Sequence, residues 1–341
     1  MNSLIQDKNM DLNDYQRLNK SFSKKLIFHL GTGSGFFSEY NNMLRAMAYC
    51  LKNKIQFVLY SADATFSHQK GWLDFFEPFT DELNESFHSL YNKRFLNRSI
   101  TRSFIRYIRG ILVTIKFREK YGHLLQYSKF YREPKLIKNF KRDYNFNYFT
   151  YDLWSSFQEM DLSKKIELNG FFSGAVSELM KELDKIIWHF NEKIEIEVEN
   201  LVGSLNLPSN HFGMQIRGGD KFLENTLLDY KLYFQTLIKK KKSYVDTNAV
   251  FVLTDDFRII ENIKVTFPQF EIFTLCTTNE IGYFNETFKD ETEQERKQKM
   301  IRLLASIQIL ANSVLFIGTE SANPGKYLKL RLGKSKFYSL D

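Results

Sequence analysis

The chain has 341 residues, and at roughly 150 residues per domain that length predicts two domains. Hydrophobic residues make up 43% and charged residues 26%, a balance that excludes wholesale disorder, a collagen-like chain and a disulfide scaffold. The net charge of +8 is uneven: between Lys93 and Asp143 lie fifteen Lys and Arg against three acidic residues, so the remainder is mildly acidic. A localised basic field points to a localised acidic partner and away from general nucleic-acid affinity. The 33 Phe and 18 Tyr predict an aromatic-rich core.

The first 24 residues are polar and mixed in charge, without the apolar core of a signal peptide, and read as a flexible tail. Lys25 to Leu30 is a strand candidate that runs into Gly31-Thr-Gly33-Ser-Gly35 and then an amphipathic stretch from Ser38 to Asn53. Ile55 to Tyr60 follows as a second strand, so the opening is strand, glycine turn, helix, strand: the start of a parallel α/β sheet. Residues 70 to 160 read as mostly helical, and residues 167 to 200 as one long helical pattern ending near Pro208. No apolar run reaches the ~20 residues of a membrane span.

Within 70 to 160, Arg98, Arg102, Arg106, Arg109, Lys116 and Lys120 recur on one face of a helix, and Phe104, Ile105, Ile108, Ile111, Leu112 and Ile115 on another. The plain reading is a solvated face on a core-packed helix; the sharper one is attraction to an anionic membrane surface through residues 98–120.

After Pro208 the alternation is regular. Strands are expected at Phe212–Ile216, Ala249–Leu253, Phe270–Leu275 and Val314–Ile317, and helices at Asp229–Lys241, Phe257–Thr266, Glu293–Ala311 and Pro324–Arg331. Four such steps read as a doubly wound domain. The expected organisation is therefore a tail over 1–24, a Rossmann-like domain with a helical insertion over 25–200, and a second Rossmann-like domain over 201–341, with a hinge near 195–210. The two cysteines, Cys50 and Cys276, are too few for a disulfide framework or a four-ligand zinc site and read as buried free thiols in a reducing compartment.

Two places carry chemistry. The glycine loop suits close approach of backbone N–H groups to a phosphate or sugar, with Gly33 and Gly35 the candidates; a plain glycine turn competes. Phe36 occupies the third position of the dinucleotide fingerprint, which weakens a nicotinamide reading. The second place is Gln215-Ile-Arg217-Gly218-Gly219-Asp220-Lys221, leaving a strand at its carboxyl end, where ligands of doubly wound sheets bind. An arginine there can grip a diphosphate with its fork of donors, and Lys221 adds a second positive charge.

The stretch Gln215–Lys221 resembles the H-V-R-R-x-D-K loop of the GDP-fucose-dependent fucosyltransferases, the α1,6, α1,2 and protein-O-fucosyl group. Gly31–Tyr40, Leu168–Ser173, Val250–Asp256 and Leu310–Asn323 resemble further stretches of that group in the same order, over roughly residues 25 to 330. Gln215 stands where the group has His, Gly218 where it has a second Arg, and Phe36-Phe37 where the α1,2 enzymes have Asn-Gln.

The resemblance implies an α/β GT-B fold, two Rossmann-like domains facing a cleft, and a metal-independent, inverting transfer of fucose from GDP-fucose to a glycan or glycolipid acceptor. It implies Arg217, Glu224 and Asp220 as catalytic candidates, with Arg217 neutralising the departing diphosphate and Glu224 or Asp220 taking the acceptor proton; Glu39 is a third candidate base. Donor-binding candidates are Gly33, Gly35, Gln215, Arg217, Lys221, Thr254, Asp255, Thr319 and Ser321. No metal ligand set and no cofactor beyond the donor, GDP-fucose or a related GDP-sugar, is expected. The location it suggests is cytoplasmic, with a peripheral place at the inner face of the membrane. Two other readings stay open: a transferase using another nucleotide sugar, and a catalytically altered GT-B protein that binds a glycan or a membrane surface.

Overall fold

The computed structural model describes residues 10–31, 34–62, 64–83, 142, 145–168, 170–218, 228–244, 247–282 and 292–341. The chain forms two compact units, Met1–His189 and Phe190–Asp341. The basic stretch 98–120 lies outside the described residues.

The first unit departs from the expected tail at once. Helix α1, Leu12–Lys20, starts where the Asp11 side chain accepts the Asp14 N–H at 2.8 Å. It is fixed by Asn19, whose side chain donates to the carbonyl of Phe57 and accepts its N–H, at 2.9 and 2.7 Å. A buried amide satisfied on both sides anchors a helix that its weak apolar pattern does not announce.

Strands β1 (Lys24–His29), β2 (Ile55–Tyr60) and β3 (Tyr148–Phe149) form a parallel sheet in the order β2-β1-β3. Leu59 forms a parallel bridge with Glu82 beyond β2. Helix α2, Phe36–Lys52, buries Phe36, Phe37, Tyr40, Met43, Leu44, Met47 and Leu51, the i, i+3, i+4 spacing of one apolar face. Its first turn enters an aromatic cluster in which Trp72 stacks on Phe76 at 4.1 Å and Phe36 faces Phe76 at 5.9 Å. Phe36 and Phe37 are thus core residues.

A short helix α3, Trp154–Gln158, precedes a hairpin of β4 (Lys165–Leu168) and β5 (Phe172–Ala175). The expected single helical pattern over 167–200 is therefore a strand pair followed by two helices, α4 (Val176–Ile187) and α5 (Glu192–Ser204). The break has a local cause: Asn191 caps α5 by accepting the N–H of Ile194 at 3.1 Å, which stops α4 from running on.

The second unit holds α5 and a five-stranded parallel sheet: β6 (Phe212–Gln215), β7 (Ala249–Leu253), β8 (Glu271–Phe273), β9 (Leu315–Gly318) and β10 (Phe337–Ser339). The spatial order is β10-β9-β6-β7-β8. The helices between are α6 (Tyr230–Lys240), α7 (Phe257–Thr266), α8 (Glu293–Ala311) and α9 (Asn323–Leu332). Phe212, Met214, Val250, Val252, Leu315 and Ile317 point to one face and pack with Tyr233, Phe234 and Leu237 of α6 and Ile260 and Ile263 of α7. On the other face Gly213 lies against Leu310 of α8. Strands covered on both sides read as continuous apolar runs, which is why they were visible in the sequence. Helix α5 is tied to α8 by Lys297 and Glu197 at 2.8 Å. Both cysteines are free; Cys50 is buried as expected, but Cys276 is only half-buried, because it sits in the loop after β8.

Candidate functional site

The connections of the second sheet position the site. From β6 the chain steps outward through β7 to β8, then α8 carries it back to β9 on the other side of β6. The order reverses between β6 and β9, and a ligand crevice opens outside the carboxyl ends at such a point. The residues leaving β6 there are Ile216, Arg217 and Gly218; those leaving β9 are Thr319, Glu320 and Ser321; those leaving the adjacent β7 are Thr254, Asp255 and Asp256.

The loop after β6 is held by the loop after β7. Ile216 N–H extends the ladder to the carbonyl of Leu253 at 2.9 Å, and Gly218 N–H donates to Asp255 Oδ1 at 2.7 Å. A side chain on Gly218 would put its Cβ 2.9 Å from the Asp256 Cβ, so the loop backbone at Gly218 packs directly on the side chains of Asp255 and Asp256, and a larger residue such as a second arginine would force them to shift. Arg217 reaches back to Asp255, with Nη2 3.5 Å from Oδ2, and its Nε is buried with no hydrogen-bond partner among the described residues. A long ion pair plus an orphaned donor leaves most of the guanidinium fork uncommitted.

Gln215 is 2% exposed, and its Oε1 also lacks a partner among the described residues. It faces the first turn of α9: a Cβ on Gly325 would lie 3.6 Å from Oε1 and 1.9 Å from the carbonyl oxygen of Thr319. Only glycine lets α9 begin this close to the turn. Each buried unpaired polar atom costs about 1–3 kcal/mol. Two of them two residues apart at the end of β6 are atoms that a polar ligand would satisfy.

Thr254-Asp255-Asp256 is spent on organisation. Thr254 Oγ1 accepts the Asp256 N–H at 3.2 Å. Asp256 caps α7 through the Arg258 N–H at 3.0 Å and pairs with the Arg258 guanidinium at 2.9 and 2.6 Å. That hydrogen-bonded pairing, first of all, holds the Asp256 carboxyl below its usual range. Among the described residues no group of three or more His, Cys, Asp or Glu could hold a metal ion.

The turn after β9 is also occupied. The N–H groups of Glu320 and Ser321 donate to Asp341 at 2.7 and 2.9 Å, so Ser321 lies at the edge of the site with its amide engaged by this chain's own carboxylate. Asp341 is the residue that sequence reasoning missed, since the short strand β10 that leads to it leaves little trace. The structure brings together Gln215, Arg217, Thr254 and Asp255, with Thr319 joined to Gln215 through Gly325. Gly33, Asp220, Lys221 and Glu224 lie outside the described residues.

In the first unit, Gly31 and Ser34 N–H groups donate to Glu39 of α2, at 2.7 and 3.4 Å. The loop thus bonds to its own helix. Among the described residues a Cβ at Gly35, the N-cap of α2, would meet nothing within 4 Å.

No protein-family model matches the sequence, and a search of curated proteins returns no match. Solved structures do match. The fucosyltransferase NodZ from Bradyrhizobium aligns at 12% identity and a TM-score of 0.50, over 94% of this chain and 96% of that one. NodZ α1,6-fucosyltransferase co-crystallised with GDP aligns at the same identity and TM-score, over 94% and 95%. A mutant of Arabidopsis thaliana FUT1 in complex with GDP aligns at 15% identity and a TM-score of 0.52, over 93% of this chain and 70% of that one. At these identities the likeness speaks for the fold, and it spans both units: the chain has the mixed α/β, GT-B fold of the fucosyltransferases.

Proposed function

We propose that this chain is a glycosyltransferase that takes fucose from GDP-fucose and passes it to a glycan or glycolipid acceptor. One observation carries the reading: Arg217 Nε and Gln215 Oε1 are buried and unpartnered, among the described residues, at the switch point of a parallel sheet. The GDP-bound structures of similar fold support the nucleotide class.

In the reaction the bond between the anomeric carbon and the β-phosphate oxygen breaks, and negative charge collects on the leaving diphosphate. Arg217 stands at the carboxyl end of β6 with an uncommitted guanidinium, so it can neutralise that charge without reorganising. The acceptor oxygen attacks the opposite face of the sugar, which inverts the centre, and its proton passes to Glu224 or Asp220. Metal independence is part of the proposal: Arg217 would supply the positive charge at the diphosphate, while among the described residues Asp255 Oδ1 holds the Gly218 N–H and Asp256 holds Arg258.

The test is calorimetric titration of GDP, UDP and NAD with and without EDTA, followed by turnover of GDP-fucose. GDP binding that EDTA leaves unchanged is expected, with at least ~10²-fold loss of turnover in Arg217→Ala. Binding of UDP alone would keep the site and change the donor. Binding of no nucleotide would refute the reading.

A further inference from the structure

We propose that Asp341 is a positioning residue for the donor site: its carboxylate clamps the turn after β9 in the shape that sets Thr319 and the first turn of α9 at the switch point. This inference rests on reading that point as a nucleotide-sugar site.

The geometry is specific. Oδ1 accepts from the Glu320 N–H and the Ser339 hydroxyl, both at 2.7 Å, and Oδ2 accepts from the Ser321 N–H at 2.9 Å. The Ser321 hydroxyl bonds to the same carboxylate. Leu340 N–H donates to the Gly318 carbonyl at 2.9 Å, so β10 delivers Asp341 alongside the end of β9 in a fixed register.

Two successive N–H groups aimed at one point make a concavity for an anion, and here the chain fills it with its own carboxylate. A diphosphate at the switch point therefore does not draw on the Glu320 and Ser321 amides. It depends on Arg217 and on the N-terminal turn of α9, which the clamp holds in place. Burial opposes ionisation of Asp341, but its hydroxyl and amide donors outweigh that and hold the carboxyl at about 2. The clamp is charged at any working pH.

The experiment titrates GDP into the wild-type chain and into Asp341→Asn, Ser339→Ala, Ser321→Ala and the double variant Asp341→Asn/Ser321→Ala. Asparagine keeps the shape but places an NH2 group against an N–H donor, which pushes the turn away. Asp341→Asn is expected to weaken GDP about tenfold. Ser339→Ala, which removes one donor and keeps the carboxylate, is expected to weaken it about threefold and serves if the first variant does not fold. The double variant should bind no more weakly than Asp341→Asn alone, because both act through one turn. Wild-type affinity in both Asp341→Asn and Ser339→Ala, tighter binding in Asp341→Asn, or additive losses would overturn the inference while GDP binding by the wild type still stood. A wild-type chain that binds no GDP would overturn the site reading and this inference together.

Discussion

The N–H of Gly218 donates to Asp255 Oδ1 at 2.7 Å, while the other oxygen of the same carboxylate lies 3.5 Å from the Arg217 guanidinium. One side chain from the end of β7 therefore sets both the backbone and the charged group that leave β6. Asp255→Ala would orphan a part-buried N–H and release Arg217. A cost of about 1–3 kcal/mol in stability is expected. GDP affinity should fall roughly tenfold, a loss of ~1.4 kcal/mol. Denaturant unfolding and calorimetry on the same variant separate the two effects, and full retention of both would show that the contact organises nothing.

Gly218 stands where the resembling enzymes have a second arginine, and its surroundings explain the glycine. An added Cβ would sit 2.9 Å from the Asp256 Cβ, an atom held by the capped start of α7. Overpacking of that kind costs about 1–3 kcal/mol, so Gly218→Ala is expected to lower the unfolding midpoint by several degrees. Gly218→Arg should be worse, not a gain of function. A Gly218→Arg variant as stable as the wild type would mean that the loops after β6 and β7 separate freely.

Much of the second unit was legible in the sequence, for reasons that particular residues make plain. Helices α7 and α8 begin where Asp256 and Thr292 cap them, and Thr292 with Glu295 forms a reciprocal capping box, a signal written within four residues. The central strands β6, β7 and β9 are buried on both faces and stand out as apolar runs. Strands β3 and β10 are two and three residues long and carry no periodicity to find. The hairpin of β4 and β5 was missed because each strand is only four residues long, too short for the alternation of Lys165–Leu168 to stand out beside the helical run of α4. At the site, the Arg217 loop was legible because its residue types are unusual after a strand. The contacts of Asp255 with Gly218 and of Asp341 with Ser321 were not, because a side chain bonding a backbone group many residues away leaves no spacing rule behind.

Glu82 links the sheet edge of the first unit to pH. It pairs beside Leu59 and accepts a short hydrogen bond from the buried Ser61 hydroxyl. Burial, first of all, raises its carboxyl from 4.5 to about 7, against the Ser61 hydrogen bonds and with help from the Asp74 charge. Asp74 in turn accepts the His68 N–H at 2.8 Å, with the His68 ring 3.4 Å away. Between pH 4.5 and 7 the folded state holds a proton that the unfolded state has released. Stability from this group is therefore present below about pH 4.5 and is lost as the pH rises to about 7, by on the order of 3 kcal/mol. Glu82→Gln, which cannot ionise, should flatten that slope. Urea unfolding at pH 5, 6, 7 and 8.5 measures it, and parallel pH profiles for wild type and variant would contradict the assignment.

Glu39 separates a structural carboxylate from a catalytic one. Its side chain is 4% exposed and accepts the N–H groups of Gly31 and Ser34, at 2.7 and 3.4 Å. A general base must reach the acceptor proton directly or through one water. A buried carboxylate bonded to its own loop instead fixes the loop's shape. In Glu39→Gln an NH2 group would face at least one of those donors, so the expected change is a loss of about 1–3 kcal/mol in stability. The pH dependence of turnover should keep the wild-type shape, because the group removed is not the one that takes the acceptor proton. A variant that folds with undiminished stability but loses the basic limb of that profile would reverse the assignment and make Glu39 the base.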